Sequence, residues 1–289
     1  MLVRNYFTAQ TKILGVIGHP IEHSMSPIMH NAAIQDLRLN YVYIAFDIHP
    51  NTLKKAIKGI KTLNIKGVNV TLPHKERIIK FVDVLDDIAQ KIKTINTIKN
   101  EDGILKGRNT DVEGAKKALL DAGCKIAGKQ VLLLGAGGAA KAISYAIASE
   151  VEKIIIINRT KDRAKRLVND LKNEIEFDIE SKEYTDAIIR EEINSSDILI
   201  NTTPIGMFPN KEISPISKNY LHNRLFVFDV IYNPLETQLL RDSKEIGCRI
   251  LGGLDMLVNQ GALAFEWWTN KKPNIELMKT KVIEYLGSV

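Results

Sequence analysis

Apolar residues along the chain follow two rhythms, short unbroken runs and helical spacing, and they alternate. The runs 131–134 and 154–157 are apolar at every position and read as strands buried on both faces, with a helical stretch to about residue 149 between them. Upstream, 12–18 reads as a short strand, 19–26 as a polar loop and 27–39 as a helix. A second strand is expected over 41–48, a second helix over 52–63 and a third strand over 67–72. In that third strand Asn69 and Thr71 alternate with Val68, Val70 and Leu72, which predicts one polar and one apolar face. The segment 83–91 reads as a helix, and 94–99 with 104–108 as a hairpin around 100–103. Strands alternating with helices predict an α/β fold with a mostly parallel, covered sheet. A helix to about residue 122 leads into the glycine-rich stretch, and the pattern continues through 197–201 and 225–231. It closes with an apolar helix over 254–268 and a last helix over about 274–286. The pattern divides near 109–111, so two domains are expected, without internal repeats.

What joins the two apolar runs carries the first chemistry. The first run is followed by Gly135, Ala136, Gly137, Gly138, Ala139 and Ala140, then by the helix and the second run. Strand, glycine turn, helix and strand in that order make the opening unit of a dinucleotide-binding fold. Gly135 permits the tight turn, Gly137 lets a pyrophosphate approach bare backbone, and the helix N-terminus offers free N–H groups. Ala140 stands where a third glycine is usual, a substitution the helix–strand contact tolerates. After the second run come Asn158, Arg159 and Thr160, with Arg163 one turn further on. A carboxylate there would accept from a ribose 2′-hydroxyl, whereas two guanidinium groups and a hydroxyl suit a 2′-phosphate. The cofactor predicted is NADP, with Thr160 serving as helix N-cap and as ligand.

Composition narrows the class. In 289 residues the net charge is +6, but the lysines are spread along the chain and form no basic block, so nucleic acid is not the expected partner. With only Cys124 and Cys248, and no C-x-x-C or H-E-x-x-H spacing, neither a disulfide framework nor a metal site is indicated. Residues 1–10 lack an apolar signal core and no run is long enough to span a bilayer, so a cytoplasmic protein is expected.

Several polar motifs remain, nearly the whole length of the chain being covered: S-M-S-P at Ser24, N-V-T-L-P-H-K at Asn69, I-N-T at Ile95 and G-R-N-T-D at Gly107. Beyond the glycine turn and N-R-T-K-D-R at Asn158 come N-T-T-P-I-G-M at Asn201, D-V-I-Y at Asp229 and G-G-L-D-M-L-V-N-Q-G at Gly252. In this order they resemble the shikimate dehydrogenase family. The resemblance implies an N-terminal α/β substrate domain over 1–110, completed by C-terminal helices of about 255–289, and a Rossmann-like NADP-binding domain over 111–254. It implies reversible reduction of 3-dehydroshikimate to shikimate by NADPH, with Lys75 and Asp111 as the catalytic pair. On local chemistry alone Lys75 reads as an exposed helix lysine and Asp111 as a helix N-cap. By the same resemblance Ser24 and Ser26, assisted by Tyr232, hold the substrate carboxylate, and Asn69, Thr71, Asn96 and Gln260 bond the ring hydroxyls. Ser26 also reads as the N-cap of a helix with Pro27 at its first position, and Asn96 as lying within a strand. On the cofactor side the resemblance adds Thr202, Met207, Val230, Gly253 and Met256 around the ribose and nicotinamide, and Asp87.

Two other readings compete. One is a quinate/shikimate dehydrogenase preferring NAD, against which Arg159 and Arg163 speak. The other is a non-catalytic NADP sensor, which would not need Lys75 and Asp111. Assembly, including a homodimer, stays open, as does whether Trp267 and Trp268 lie in a core or at an interface.

Overall fold

The computed structural model describes residues 7–288, so the first six residues of the stretch 1–10, read above as lacking a signal core, lie outside it. The chain divides into two compact units, Met1–Thr110 with Gly261–Val289, and Asp111–Gln260.

The first unit contains β1 (Lys12–Gly18), α1 (Ser26–Asp36), β2 (Tyr41–Asp47), α2 (Leu53–Thr62), β3 (Gly67–Val70), β4 (Val84–Leu85), α3 (Asp87–Ile92), β5 (Thr97–Glu101) and β6 (Ile104–Arg108). Its sheet runs in the order β2-β1-β3-β5-β6-β4, with β5 antiparallel to both its neighbours and the other pairs parallel. Leu53, Ile57 and Ile60 recur at helical spacing along α2 and bury against Val68, Val70, Ile95 and Ile98 of the sheet region.

Local chemistry moves several boundaries. The third strand stops at Val70 and is buried at every position, so the face that carries Asn69 meets protein and not solvent. Thr71 follows the strand's end, its N–H donating to the Ile17 carbonyl, and Leu72 is 64% exposed. Within 83–91 the chain first pairs Val84–Leu85 with β6, and the helix starts only at Asp87. Asp86 holds extended backbone there, and its carboxylate caps the helix by accepting from the Ala89 N–H at 2.7 Å. Asn96 lies just before β5 and not within a strand. At α1 the N-cap is Met25, without a side-chain cap, so Ser26 is the first helical residue and Pro27 the second.

The second unit contains α4 (Asp111–Asp121), β7 (Gln130–Leu134), α5 (Gly138–Ile147), β8 (Lys153–Ile157), α6 (Lys161–Lys172), β9 (Ile179–Lys182), α7 (Asp186–Ser195), β10 (Ile198–Asn201), β11 (Phe226–Asp229), α8 (Gln238–Ile246), β12 (Arg249–Leu251) and the start of α9 (Leu254–Thr269). All six strands are parallel, in the order β9-β8-β7-β10-β11-β12. That is the doubly wound arrangement, whose strand order reverses between β7 and β10. Leu132, Leu134, Leu199 and Val227 of the sheet bury against Ile189 and Ile193 of α7 and Leu239 and Leu240 of α8.

The division between units falls inside α9, after Gln260. The remainder of α9 and α10 (Ile275–Ser288) belong to the first unit, where α10 packs on α1. Trp268 is buried there; it occupies the space a Cβ on Gly67 would need, and its Nε1 donates to the Ile98 carbonyl at 2.9 Å. Trp267 is half-buried, with the Lys99 ammonium 6.0 Å from its ring centre. Among the described residues no helix is long and apolar enough to cross a membrane, and no group of three His, Cys, Asp or Glu side chains could hold a metal ion.

Candidate functional site

In the first unit the polar residues of the motifs are joined by a buried chain of hydrogen bonds. The Tyr43 hydroxyl, on β2, donates to Asn69 Oδ1 at 2.7 Å. Asn69 Nδ2 donates to the Asn96 carbonyl and to Thr97 Oγ1, both at 3.2 Å. Asn96 Oδ1 accepts from Thr97 Oγ1 at 3.1 Å and from the Thr110 N–H at 2.8 Å, and Asn96 Nδ2 donates to Thr110 Oγ1 at 2.9 Å. Asn69 and Asn96 are thus brought together, directly and through Thr97, with Tyr43 and Thr110 bonded at either end; Thr97 and Thr110 stand inside the I-N-T and G-R-N-T-D motifs, but no role was expected of them. Burial raises the Tyr43 phenol well above its ordinary value, so it is held as a neutral donor.

Ser24 and Ser26 are adjacent by geometry as well as sequence, the Ser26 N–H donating to Ser24 Oγ at 3.3 Å. Lys75 lies in a turn, half-buried, and so is not the helix lysine of the local reading. Its carbonyl accepts from the Ile95 N–H at 3.0 Å, which fixes the turn beside the Asn96 segment. His74, fully buried, anchors the same turn through Nε2, 2.7 Å from the Ile48 carbonyl. Asp87 is exposed at the first position of α3.

In the second unit Asp111 is buried at the start of α4. Gly114, one turn on and on the same helix face, meets Gln260 of α9 so closely that an added Cβ would lie 2.8 Å from its Cβ. Asp111 and Gln260 therefore belong to neighbouring turns of one helix contact.

The glycine turn sits where the strand order reverses. Thr202, following β10, donates to the Leu134 carbonyl at the end of β7 with both its N–H (2.9 Å) and its hydroxyl (2.7 Å). Gly135 adopts φ +107, and a Cβ there would collide with Thr202 Oγ1. Gly137 occupies the N-cap of α5 in extended conformation, and a Cβ built on it meets nothing within 4 Å. With Ala136 and Ala139 only half-buried and Gly138 heading the helix, open space faces the α5 N-terminus, as a diphosphate requires. Past β8, Asn158 Nδ2 ties down the turn by donating to the Thr160 carbonyl at 2.9 Å, while Arg159, Thr160 and Arg163 are exposed. Thr160 takes the N-cap position of α6, but its hydroxyl makes no capping bond. The expected double role as cap and ligand reduces to a hydroxyl outside the cap.

Val230 follows β11 and donates its N–H to the Asn201 carbonyl at 3.0 Å. Gly253 presses on the Val230 carbonyl with no room for a side chain, and its N–H donates to the Ile231 carbonyl at 3.0 Å. Tyr232 is half-buried, Met256 buried and Met207 exposed. Beneath these turns lie Asn201 and Asp229, both inaccessible and linked at 3.0 Å. Their signal in the sequence is a polar residue ending an apolar run, I-L-I-N and F-V-F-D.

Comparison with known proteins covers both units. Residues 16–98 match the description "Shikimate dehydrogenase substrate binding domain", 115–237 "Shikimate / quinate 5-dehydrogenase" and 253–283 "Shikimate 5'-dehydrogenase C-terminal domain". The protein named shikimate dehydrogenase (NADP(+)) in Methanocaldococcus jannaschii is 46% identical over 281 residues, 96% of this chain and 98% of that one. A crystal structure of a shikimate dehydrogenase in complex with NADP+ superposes with a TM-score of 0.91 at 44% identity, over 97% of this chain and 98% of the other. A shikimate 5-dehydrogenase from Listeria monocytogenes, in complex with shikimate and NAD, gives a TM-score of 0.86 at 38% identity, over 96% and 98%.

Proposed function

The chain belongs to the shikimate dehydrogenase family, and from that premise we propose that it catalyses the reversible NADPH-dependent reduction of 3-dehydroshikimate to shikimate, in aromatic amino-acid precursor synthesis. The observation that carries the reading is the full-length relation to enzymes of that name, joined to an open helix N-terminus at the reversal of strand order.

The chemistry of the residues fits the cofactor. The glycine turn and the α5 N-terminus would receive the diphosphate, and Arg159, Thr160 and Arg163 the 2′-phosphate, with no carboxylate among those three to repel it. NADPH, when bound, supplies the hydride. As the substrate carbonyl is reduced, negative charge develops on its oxygen; the Lys75 ammonium stabilises that charge and delivers the proton. Asp111 bonds the reacting hydroxyl and orients the lysine. Support on the lysine's side is that its carbonyl, accepting from the Ile95 N–H, holds Lys75 beside the Asn96 segment. Ser24, Ser26 and Tyr232 take the substrate carboxylate on this reading, and Asn69, Thr71, Asn96 and Gln260 its ring hydroxyls. On the same reading Thr202, Met207, Val230, Gly253 and Met256 border the ribose and nicotinamide, and Asp87 is linked to the cofactor. The reaction is assigned to the cytoplasm, where the free thiols of Cys124 and Cys248 stay reduced.

The test is NADPH absorbance with purified protein, offering shikimate or quinate with NADP or NAD. Rapid reduction of NADP by shikimate, with little use of quinate or NAD, is expected. Preference for quinate and NAD would move the protein to the broader dehydrogenase, and NADP binding without turnover would make it a sensor.

A further inference from the structure

Asp229 ends β11 as a fully buried carboxylate. Its Oδ1 accepts from Asn201 Nδ2 at 3.0 Å and from the Ile231 N–H at 3.2 Å, and its Oδ2 accepts from Thr237 Oγ1 at 2.7 Å. Burial pushes the carboxyl up to about 6 despite those three donors. A carboxylate in such a place is costly to bury unless its oxygens are hydrogen-bonded, and those bonds in turn fix the groups that make them.

What the bonds hold are the turns at the carboxyl ends of β10 and β11. Asn201 Oδ1, whose amide is oriented by Asp229, accepts from both the N–H (3.0 Å) and the hydroxyl (2.7 Å) of Thr203, so the turn that begins at Thr202 is fixed from below. The Ile231 N–H, drawn back to Asp229, shapes the turn on which Val230 stands, and Gly253 is pinned in turn to the Ile231 carbonyl. The Thr237 hydroxyl, while donating to Asp229, accepts from the Leu240 N–H at 3.3 Å and so caps α8. One carboxylate thereby locks two turns and a helix start, yet has no access to any ligand itself.

We propose that Asp229, acting through Asn201, is a positioning residue that sets the Thr202 and Val230 turns for the dinucleotide. The proposal rests on the reading that those turns border the cofactor.

Three variants test it: Asp229→Ala, Asp229→Asn and Asn201→Ala, with NADP+ dissociation constants from quenching of protein fluorescence and separate KM values for NADP+ and shikimate. Asp229→Ala should weaken NADP+ about tenfold or more while the shikimate KM stays within about twofold. Asp229→Asn should recover most of that loss, because its carbonyl oxygen still accepts from Asn201 and Ile231 and its amide can donate to the Thr237 oxygen. Asn201→Ala should resemble Asp229→Ala, and the double variant should be little worse than either single one, as for residues acting through one another. Unchanged NADP+ affinity, or equal losses for NADP+ and shikimate, would overturn the proposal. Should Asp229→Ala fail to fold, Thr237→Val removes one donor: weaker NADP+ with an unmoved shikimate KM again supports the role, and unchanged or equal losses again remove it. If the wild type binds NADP+ but does not oxidise shikimate, the proposed reaction fails, while the dissociation constants still decide the role of Asp229.

Discussion

The Tyr43 hydroxyl and the Asn69 amide meet at 2.7 Å inside the first unit, and neither has access to solvent beyond a few per cent. The bond decides which end of the amide faces the tyrosine, and so directs Asn69 Nδ2 at the Asn96 carbonyl and Thr97. Tyr43→Phe strands the Asn69 oxygen, which should lower stability by about 1–3 kcal/mol in urea titrations. The freed amide should also raise the shikimate KM several-fold with little change in kcat or in the NADP+ KM. An unaltered shikimate KM would leave Tyr43 a purely structural partner.

Lys75→Ala should cut kcat by roughly 10²–10⁴ while NADP+ still binds with wild-type affinity, since the variant loses a proton donor and no cofactor contact. Steady-state rates paired with fluorescence titration measure both. Turnover at the wild-type rate would take Lys75 out of the mechanism.

Arg159→Ala removes a guanidinium exposed beside the turn after β8. Loss of a charge-assisted bond of about 1.5–3 kcal/mol predicts roughly 10- to 100-fold weaker NADP+ binding and little change for NAD+. Equal weakening of the two would exclude a 2′-phosphate contact.

The alternation of strands and helices, the glycine turn and the basic strand end were legible because each is a local pattern. Apolar runs such as Val131 to Leu134 are buried on both faces, so every position reports burial. The two-residue strand at Val84–Leu85 left no such trace, being defined by its partner β6 and not by its own composition. Ser26 mimics an N-cap locally, but the helix takes it in as its first residue, capped at Met25 by backbone geometry alone. The bonding roles of Tyr43, Thr97 and Thr110 were invisible for a related reason. Their roles depend on bonds to residues between 1 and 28 positions away, and the longest of these spans carry no periodicity that a sequence could display.

Acid should expose a different buried group. His30 is fully enclosed, its ring stacked on Tyr43 with centroids 4.2 Å apart and planes within 7°, and burial lowers it from 6.5 to about 3. The unfolded chain takes up a proton near 6.5 and the folded chain only near 3, so this contribution is whole above 6.5 and shrinks as pH falls through that window. By pH 4 the loss should be on the order of 3 kcal/mol. Asp229, whose carboxyl is raised from 3.8 to about 6, pulls the other way between those values. Urea titrations from pH 7 to 4 on wild type and His30→Leu therefore isolate the histidine by difference. The variant should lose much of the acid slope, and an identical slope would assign it elsewhere.

Trp268 fills the space over Gly67, and residue 268 reaches the ribosome's exit long after residue 67. During translation β3 therefore lacks this cover until the whole of the second unit, Asp111–Gln260, has emerged as one uninterrupted stretch. The unit made second can finish first, and the unit begun first is sealed by a segment synthesised only after it. Termination between Gln260 and Trp268 leaves the nucleotide-type unit whole and the other unit without its aromatic lid.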